Sequence, residues 1–340
     1  MIPSPYLLYI GRETDALSVK SSRGLAFWRP DACLGQYRSM SNAVSLGLPD
    51  LTYAEAVGRG ARTLVLGIAN AGGVMSPSLV ADALAALEAG LNLASGLHAR
   101  LRDQPQIRAA AEKLQLNLFD VRQPPPVLPI GTGYRRPGRR LLTVGTDCSV
   151  GKMYTTLAIE RRMRELGITA EFRATGQTGI LIAGSGIPVD AVVSDFLCGS
   201  VEHLAPGRRD GGWDLIEGQG SLFHPSFAGV SLGLLHGAQP SVIVICHEPG
   251  REHMRGLPGR KLPPLDVCLQ ANLEAGRLTS PDIVCAGVAL NTASLSKQDA
   301  SRACSEVSES LGLPCQDPVR DGVERIVDRM LHLCGEKELA

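Results

Sequence analysis

Residues 141–156 read Leu-Leu-Thr-Val-Gly-Thr-Asp-Cys-Ser-Val-Gly-Lys-Met-Tyr-Thr-Thr and decide the fold of the second half of the chain. The apolar run Leu141–Val144 predicts a buried strand, and a glycine-bounded loop, Gly145–Gly151, follows it. We expect a helix to begin near Lys152, because a mostly apolar stripe runs through the residues after it. A strand, a glycine-rich loop and a lysine at a helix start are typical of a phosphate-binding loop, in which backbone N–H groups, the helix dipole and the lysine all attract an anion.

This loop departs from the common phosphate-loop pattern in two ways. The spacing from Gly145 to Gly151 is one residue longer than in G-x-x-x-x-G-K, and Met153 stands where Ser or Thr would bind Mg²⁺. The longer spacing resembles the loop of dethiobiotin synthetase, which also opens with Gly-Thr-Asp. Thr155 or Thr156 could supply the missing hydroxyl only in a different helix register. The sequence therefore predicts a loop that binds phosphates but lacks one ligand of the metal that ATP hydrolysis uses; a purely structural turn is the alternative.

Composition limits the classes of function that remain open. With 340 residues the chain can form two domains, and 34 basic residues balance 34 acidic ones, so no net field attracts nucleic acid or an anionic membrane. We expect no signal peptide, and the sequence has no apolar stretch of membrane-spanning length. The nine cysteines form no Cys-x-x-Cys pair, and several lie in apolar strands, which predicts reduced thiols, no structural zinc and a cytoplasmic location.

The first part of the chain, residues 1–130, predicts an α/β domain with a Rossmann-like parallel sheet. Strands alternate with helices: strands at 6–10, 63–69, 91–94 and 118–121, and helices at 76–89 and 104–116. In such sheets ligands bind beyond the carboxyl ends of the strands.

Polar groups follow three of these strands: Asn70 with Gly72 and Gly73, then His98, then Arg122. Because the carboxyl ends of parallel strands share one edge, we expect a small-molecule crevice there, although ordinary loop chemistry would explain each residue by itself. Upstream, three arginines, Arg23, Arg29 and Arg38, cluster around Trp28 in the sequence. Arginine forks bind carboxylates in a bidentate manner, so these side chains predict a carboxylate clamp, with a solvated surface as the alternative.

A proline-rich linker, residues 123–129, and a basic run, Arg135–Arg140, separate the two domains, and we interpret the basic run as a solvated edge. The second domain, residues 138–340, is predicted to be a P-loop NTPase-like α/β domain. Its further predicted elements are strands at 170–174, 213–216, 241–246 and 283–290, a turn at 175–179, and helices at 188–204 and 319–333.

Several residues near the loop could carry chemistry. Glu217 ends the strand Trp-Asp-Leu-Ile-Glu before two glycines, and Asp147 lies in the loop itself, where it could instead cap a turn. His224 follows Glu217 by seven residues, and His247 ends another predicted strand. A neutral imidazole is a suitable general base, so either histidine could act as one. Either could instead have a purely structural role. We expect the electropositive loop to lower the pKa of Cys148.

Taken together, the Asn-Ala-Gly-Gly, Gly-Leu-His and Asp-Val-Arg segments and the motifs at 145–153 and 217–222 resemble a family of two-domain proteins long catalogued as having unknown function. Its members are now assigned as D-glutamate N-acetyltransferases. The resemblance covers nearly the whole chain, and Met153 after the loop lysine is similar to the pattern of the family.

The resemblance implies transfer of an acetyl group from acetyl-CoA to the amine of D-glutamate, with no metal required. Under this reading the loop binds the CoA phosphates through Gly145, Thr146, Cys148, Ser149, Val150, Gly151, Lys152 and Met153. Glu217, His224 and Asp147 are the catalytic candidates, and Asn70, Gly72, Gly73, His98, Arg122, Arg29 and Arg38 are the candidates for binding the amino acid. We expect small-molecule substrates, no nucleic-acid or membrane partner, and a homo-oligomer of two or more chains. The alternative is an ATP- and Mg²⁺-dependent ligase or kinase of the dethiobiotin synthetase type.

Overall fold

The computed structural model of the chain describes residues 2–16, 18–68 and 74–335. The chain divides into two compact units: unit 1 comprises residues 1–124 with 176–191, and unit 2 comprises residues 125–175 with 192–340. The domain ranges predicted from the sequence, 1–130 and 138–340, stay a prediction. They assign residues 176–191 to the second domain, whereas these residues belong to unit 1. The predictions for Asn70, Gly72 and Gly73 fall outside the described residues.

Unit 1 is built on a parallel sheet of five strands. Its elements up to residue 124 are β1 (Tyr6–Gly11), α1 (Lys20–Trp28), β2 (Cys33–Arg38), α2 (Tyr53–Gly58), β3 (Thr63–Leu66), α3 (Pro77–Glu88), β4 (Asn92–Ser95), α4 (Pro105–Leu114) and β5 (Leu118–Asp120). The strand order is β2-β1-β3-β4-β5. A row of leucines, Leu7, Leu64, Leu93 and Leu118, runs across neighbouring strands and is buried in the core. Apolar strands that alternate with helices thus form the parallel sheet that the sequence predicts.

Unit 2 is built on a parallel sheet of six strands with β6 (Arg139–Gly145) near its middle. The elements that follow are α5 (Lys152–Glu165), β7 (Ala170–Arg173), α6 (Gln177–Ala183, which belongs to unit 1), α7 (Ser194–Leu204), β8 (Trp213–Ile216), α8 (Ala228–Ala238), β9 (Val242–His247), α9 (Leu265–Arg277), β10 (Val284–Leu290), α10 (Lys297–Leu311), β11 (Cys315–Gln316) and α11 (Glu324–Leu333). The strand order is β11-β10-β9-β6-β8-β7. The loop after β6 therefore lies between the carboxyl ends of β8 and β9.

Three predicted elements of the second half are wrong in extent or type. The turn predicted at 175–179 gives way to α6, because Ile180, Leu181 and Ile182 are buried and need a helical face. The helix predicted at 188–204 begins only at Ser194, since the chain passes from unit 1 back to unit 2 after residue 191.

The last helix begins at Glu324 rather than at Val319. The Asp317 carboxylate accepts hydrogen bonds from the N–H groups of Val319 and Arg320, and Gly322 has a φ of +81°, so these residues form a capped turn. The sequence also left α1, α2, β2, α8, α9, α10 and β11 unpredicted.

The prediction that the basic run Arg135–Arg140 is a solvated edge is wrong for Arg136 and Arg140. The Arg136 guanidinium donates to the carbonyl of Ala205 at 2.8 Å and to carbonyls at the end of α8, and Arg140, only 3% exposed, donates to Ala238 O at 2.9 Å. Carbonyls at the ends of α7 and α8 carry the negative end of the helix dipole, so these arginines stabilise both helix ends. Burial lowers the pKa of Arg140 to about 10.

Candidate active site

The loop between β6 and α5 is tightly curled. Ser149 has a φ of +54° and Gly151 a φ of +101°, and no side chain caps the start of α5. A Cβ atom on Gly145 would lie 2.9 Å from Cys246 O, so a glycine is needed where the loop leaves the strand. Alternation of right- and left-handed residues turns successive N–H groups toward one side, which is the geometry of an anion-binding loop.

Lys152 is the first residue of α5, and its side chain is only 6% exposed. Its Nζ atom donates to Asp147 O and to Gly220 O, each at 2.7 Å. Within the described residues no carboxylate lies within ion-pair distance of this ammonium group, and burial lowers the pKa of Lys152. A buried ammonium group surrounded by carbonyls has its charge uncompensated, so an anion in the loop would stabilise it.

The two threonines of α5 bond to the helix itself. Thr155 Oγ1 donates to Gly151 O at 3.0 Å, and Thr156 Oγ1 donates to Lys152 O at 2.9 Å. Both side chains are buried. The hydroxyl that usually binds Mg²⁺ beside a loop lysine is therefore not replaced by either threonine in this helix register.

Asp147 is fully buried and both of its carboxylate oxygens are occupied. Oδ1 accepts from Cys148 N–H at 2.7 Å, and Oδ2 accepts from Arg255 N–H at 2.8 Å and from Arg251 at 2.9 Å. Burial by itself would raise the pKa of Asp147, but these N–H donors and the Arg251 guanidinium bring it below its usual value. The geometry fits an anchor for the loop better than a proton acceptor.

Arg251, which follows β9, is a site residue that the sequence did not single out. Besides Asp147, its guanidinium binds Cys148 O at 2.7 Å, Ser149 O at 3.2 Å and the Glu248 carboxylate. Arginine bonds to loop carbonyls fix the outer side of the loop, and this leaves the N–H side for a ligand. Only its position after a buried strand, in Glu-Pro-Gly-Arg, could have indicated it.

Glu217 follows β8 directly and is 4% exposed. Its Oε2 atom accepts from Thr175 N–H at 2.9 Å, and its carbonyl accepts from Thr175 Oγ1 at 2.6 Å. The next residue, Gly218, approaches β6 so closely that a Cβ atom would lie 1.7 Å from Thr143 O. The carboxylate predicted from the strand end is thus rigidly held, and the glycine after it is required by contact with the loop strand.

The two candidate histidines differ in their surroundings. His224 Nδ1 accepts from Ser226 N–H at 3.2 Å, so Nε2 carries the proton of the neutral ring and donates to Arg255 O at 3.1 Å. His247 Nδ1 lies 2.9 Å from Thr146 Oγ1 in the loop, and burial, with a smaller effect of Arg251, lowers its pKa to about 4. Near pH 7 His247 is therefore a neutral ring that contacts the loop directly.

Asp147, Cys148 and His224 place one potential metal-ligand atom each within 4.8 Å of one another. In this arrangement the Asp147 oxygens and the His224 nitrogens already make the internal hydrogen bonds described above. A metal ion would have to displace those bonds. The expected low pKa of Cys148 is wrong: burial and the neighbouring Asp147 charge raise it, and these effects outweigh the opposing effects of Lys152 and a backbone hydrogen bond.

The amino-acid candidates of unit 1 are already engaged or exposed. Arg38 forms a bidentate ion pair with Asp50, Arg122 pairs with Asp190, and Arg29 donates to Ile182 O at 2.8 Å. His98 is exposed. An arginine that already holds a carboxylate has less capacity for a second, so the predicted clamp stays a prediction without geometric support.

Comparison with known proteins places these features in a family. A P-loop domain model of the family of unknown function DUF1611 matches residues 129–327, and its Rossmann-like domain model matches residues 34–124. A protein from a Pseudoalteromonas species named D-glutamate N-acetyltransferase is 48% identical over 326 residues, which is 96% of this chain and 98% of that protein. One of the same name from Tritonibacter scottomollicae is 48% identical over 330 residues, 97% of this chain and 99% of that protein.

The fold is also that of a solved structure. A crystal structure of a DUF1611 family protein from Anabaena variabilis ATCC 29413 superposes with a TM-score of 0.87 at 30% identity, covering 97% of this chain and 100% of that one. Among the described residues no helix is long and apolar enough to cross a bilayer. The expected order of a Rossmann-like domain followed by a P-loop domain is confirmed, and the chain belongs to the DUF1611 family.

Proposed function

We propose that this chain is an acetyltransferase that moves the acetyl group of acetyl-CoA to the amine of D-glutamate and releases N-acetyl-D-glutamate. The observation that carries the proposal is a phosphate-binding loop with a buried lysine, followed by two threonines whose hydroxyls donate back into the helix. Two relatives at 48% identity over nearly the full chain carry the name of this activity, and they supply the identity of the substrate.

Acetyl-CoA fits the loop for a chemical reason. CoA carries a pyrophosphate and a ribose phosphate, which the N–H groups of 145–151 and the Lys152 ammonium would bind. The thioester is already activated, so acyl transfer needs neither phosphoryl transfer nor the Mg²⁺ that supports it. Acetyl transfer therefore does not require the hydroxyl that would bind Mg²⁺.

The reaction needs a base, because the ammonium group of D-glutamate must lose a proton before its nitrogen attacks the thioester carbonyl. Glu217 is the stronger candidate, since it is a buried carboxylate at the carboxyl edge of the sheet, beside the loop strand. His224 would first have to release the hydrogen bonds to both of its nitrogens. Asp147 serves as the anchor of the loop rather than as a base.

The tetrahedral intermediate carries an oxyanion that needs hydrogen-bond donors. Backbone N–H groups of the glycine-rich segment 218–221 are candidates, although that of Gly218 already donates to Thr143 Oγ1 at 3.0 Å. His247 adds a neutral ring at the loop. If Thr146 donates to its Nδ1, the Nε2–H is a donor for the phosphates or for the oxyanion. Cytoplasmic location and assembly into a homo-oligomer stay predictions.

An ATP-dependent ligase or kinase is the second candidate, because the long loop is similar to that of dethiobiotin synthetase. The test measures free thiol release from acetyl-CoA, with EDTA present and ATP absent, over a panel of D- and L-glutamate and D-aspartate. We expect thiol release that depends on D-glutamate and matches the N-acetyl product one to one. Product formation that requires ATP and Mg²⁺ and releases phosphate would instead establish the ligase.

A further inference from the structure

The carboxyl edge of the unit 1 sheet has a switch point between β1 and β3. The chain goes from β1 to β2 on one side and then crosses to β3 on the other. In open parallel sheets the crevice at such a point is where ligands bind. The helix after β1, α1, starts there, because Ser22 N–H donates at 3.1 Å to the carbonyl of Gly67, the first residue beyond β3.

Two serines occupy the first turn of α1. Ser21 Oγ lies 2.7 Å from Thr178 Oγ1, whereas Ser22 Oγ is completely buried and has no hydrogen-bond partner among the described residues. Ser22 Oγ packs against Gly67: a Cβ atom added to Gly67 would lie 2.2 Å from this oxygen. Among the described residues no side chain caps this nine-residue helix, and the positive end of its dipole favours an anion there, although the Ser22 N–H already donates to Gly67 O.

The segment that returns to unit 1 adds further polar groups to this point. Thr178 belongs to α6, and so does Gln177, whose Oε1 atom lies 3.1 Å from the Cβ position of Gly96, the first residue beyond β4. Helices α1 and α6 run in the same direction, because their first turns meet at Ser21 and Thr178 while Arg29 at the end of α1 reaches Ile182 near the end of α6. The segment 176–191 thus places the Gln177 amide and the Thr178 hydroxyl at the switch point.

We propose that Ser21, Ser22, Gln177 and Thr178 form a pocket that binds one carboxylate of the amino-acid substrate. The identity of that substrate rests on the proposed function; the pocket rests on the geometry. A buried hydroxyl without a partner is unfavourable until an acceptor oxygen reaches it, and a carboxylate at a helix start provides one. The ion-paired arginines of this unit are not needed for this role.

Direct binding tests the pocket without turnover. Calorimetric titration with D-glutamate is carried out on the wild-type protein and on the Ser22→Ala and Thr178→Val variants. We expect each variant to bind about tenfold more weakly, with the KM for D-glutamate raised by a similar factor and the KM for acetyl-CoA unchanged. Ser22→Ala should keep the wild-type melting temperature, because the lost hydroxyl bonds to no group in the part of the chain that the structure describes. Thr52→Ala, which removes the cap of α2 in the same unit, is the matched control and should lower the melting temperature without weakening D-glutamate binding.

The outcomes separate this inference from the proposed function. Wild-type binding that the two substitutions weaken would support the pocket even if acetyl-CoA were never consumed, and the proposed function alone would then fail. Acetylation of D-glutamate with wild-type affinity in both variants would overturn the pocket alone. A rise in the KM for acetyl-CoA in place of that for D-glutamate, or no binding of D-glutamate to the wild-type protein, would also overturn it.

Discussion

Glu217 is held in place by β7 and by the residues that follow it. Its backbone N–H donates to Arg173 O at 3.0 Å, and its Oε2 atom accepts from Thr175 N–H. A carboxylate fixed in this way has a defined orientation, which a general base needs, and its replacement by an amide keeps the acceptor oxygen for Thr175. A substitution of Glu217 by glutamine can therefore change catalysis without changing the stability of the fold.

Glu217→Gln should lower kcat at least about 100-fold, because an amide cannot take the proton from the substrate ammonium. The melting temperature and the KM for acetyl-CoA should stay near those of the wild-type enzyme. Steady-state kinetics and thermal unfolding check this, with the exposed Glu309→Gln of α10 as the control. A kcat within a few-fold of wild type would assign the base to another residue.

Asp147 joins the loop to the segment after β9 through Arg251 and Arg255. Since the folded pKa of Asp147 lies below its unfolded value, its contribution to stability is present above the unfolded pKa, about 4. That contribution is lost as pH falls through the folded pKa.

Asp147→Asn should lower the free energy of unfolding near pH 7 by about 2 kcal/mol, because it removes the charge-assisted bond to Arg251, which keeps the Glu248 carboxylate. The difference from wild type should be constant between about pH 5 and 7 and shrink below about pH 4. Urea unfolding at a series of pH values measures it. A difference as large at pH 3 as at pH 7 would show that the ion pair is not its source.

At the scale of elements, the strand β6, its loop and α5 follow from local pattern, but their closure depends on β8 and β9. Gly218 after β8 lies on Thr143 of β6, and Arg251 after β9 binds the loop carbonyls. Parallel strands adjacent in the sheet thus bring three separate segments of the sequence to the phosphate loop. The close approach at Gly218 leaves no room for a side chain.

Gly218→Ala should therefore separate β6 from β8 and destabilise unit 2 by about 3 kcal/mol or more, with loss of activity. Gly229→Ala in α8 is the matched control, since a Cβ atom there meets nothing within 4 Å and alanine favours a helix. Chemical unfolding compares the two variants. Equal stabilities would mean that the strands can move apart without cost at Gly218.

At the scale of the whole molecule, the chain passes from unit 1 to unit 2, back to unit 1 for 176–191, and again to unit 2. The sequence predicts both parallel sheets because strand and helix periods are local properties. It predicts Lys152 and Glu217 because they stand at fixed places beside a strand end. The return of 176–191 was not predictable in this way, since it depends on the packing of α6 against α1.

The same reasoning explains which site residues the sequence missed. The role of Arg251 comes from contacts with residues about a hundred positions earlier, and its position after a buried strand is the one local sign of it. Ser22 is notable because its hydroxyl is buried and bonds to none of the described residues, which the packed structure reveals and the sequence does not. Conversely, the position of Asp147 in the loop suggested a catalytic role, whereas its hydrogen bonds fit a role in anchoring the loop.

The central claim is that the loop ahead of Met153 binds the phosphates of CoA, and the most direct measurement compares CoA with pantetheine, which lacks those phosphates. Calorimetric dissociation constants are determined for both ligands with the wild-type protein and with Lys152→Ala. The account predicts that Lys152→Ala weakens CoA binding at least tenfold, about 1.4 kcal/mol, and leaves the affinity for pantetheine unchanged. An equal effect on both ligands, or none on CoA, would contradict it.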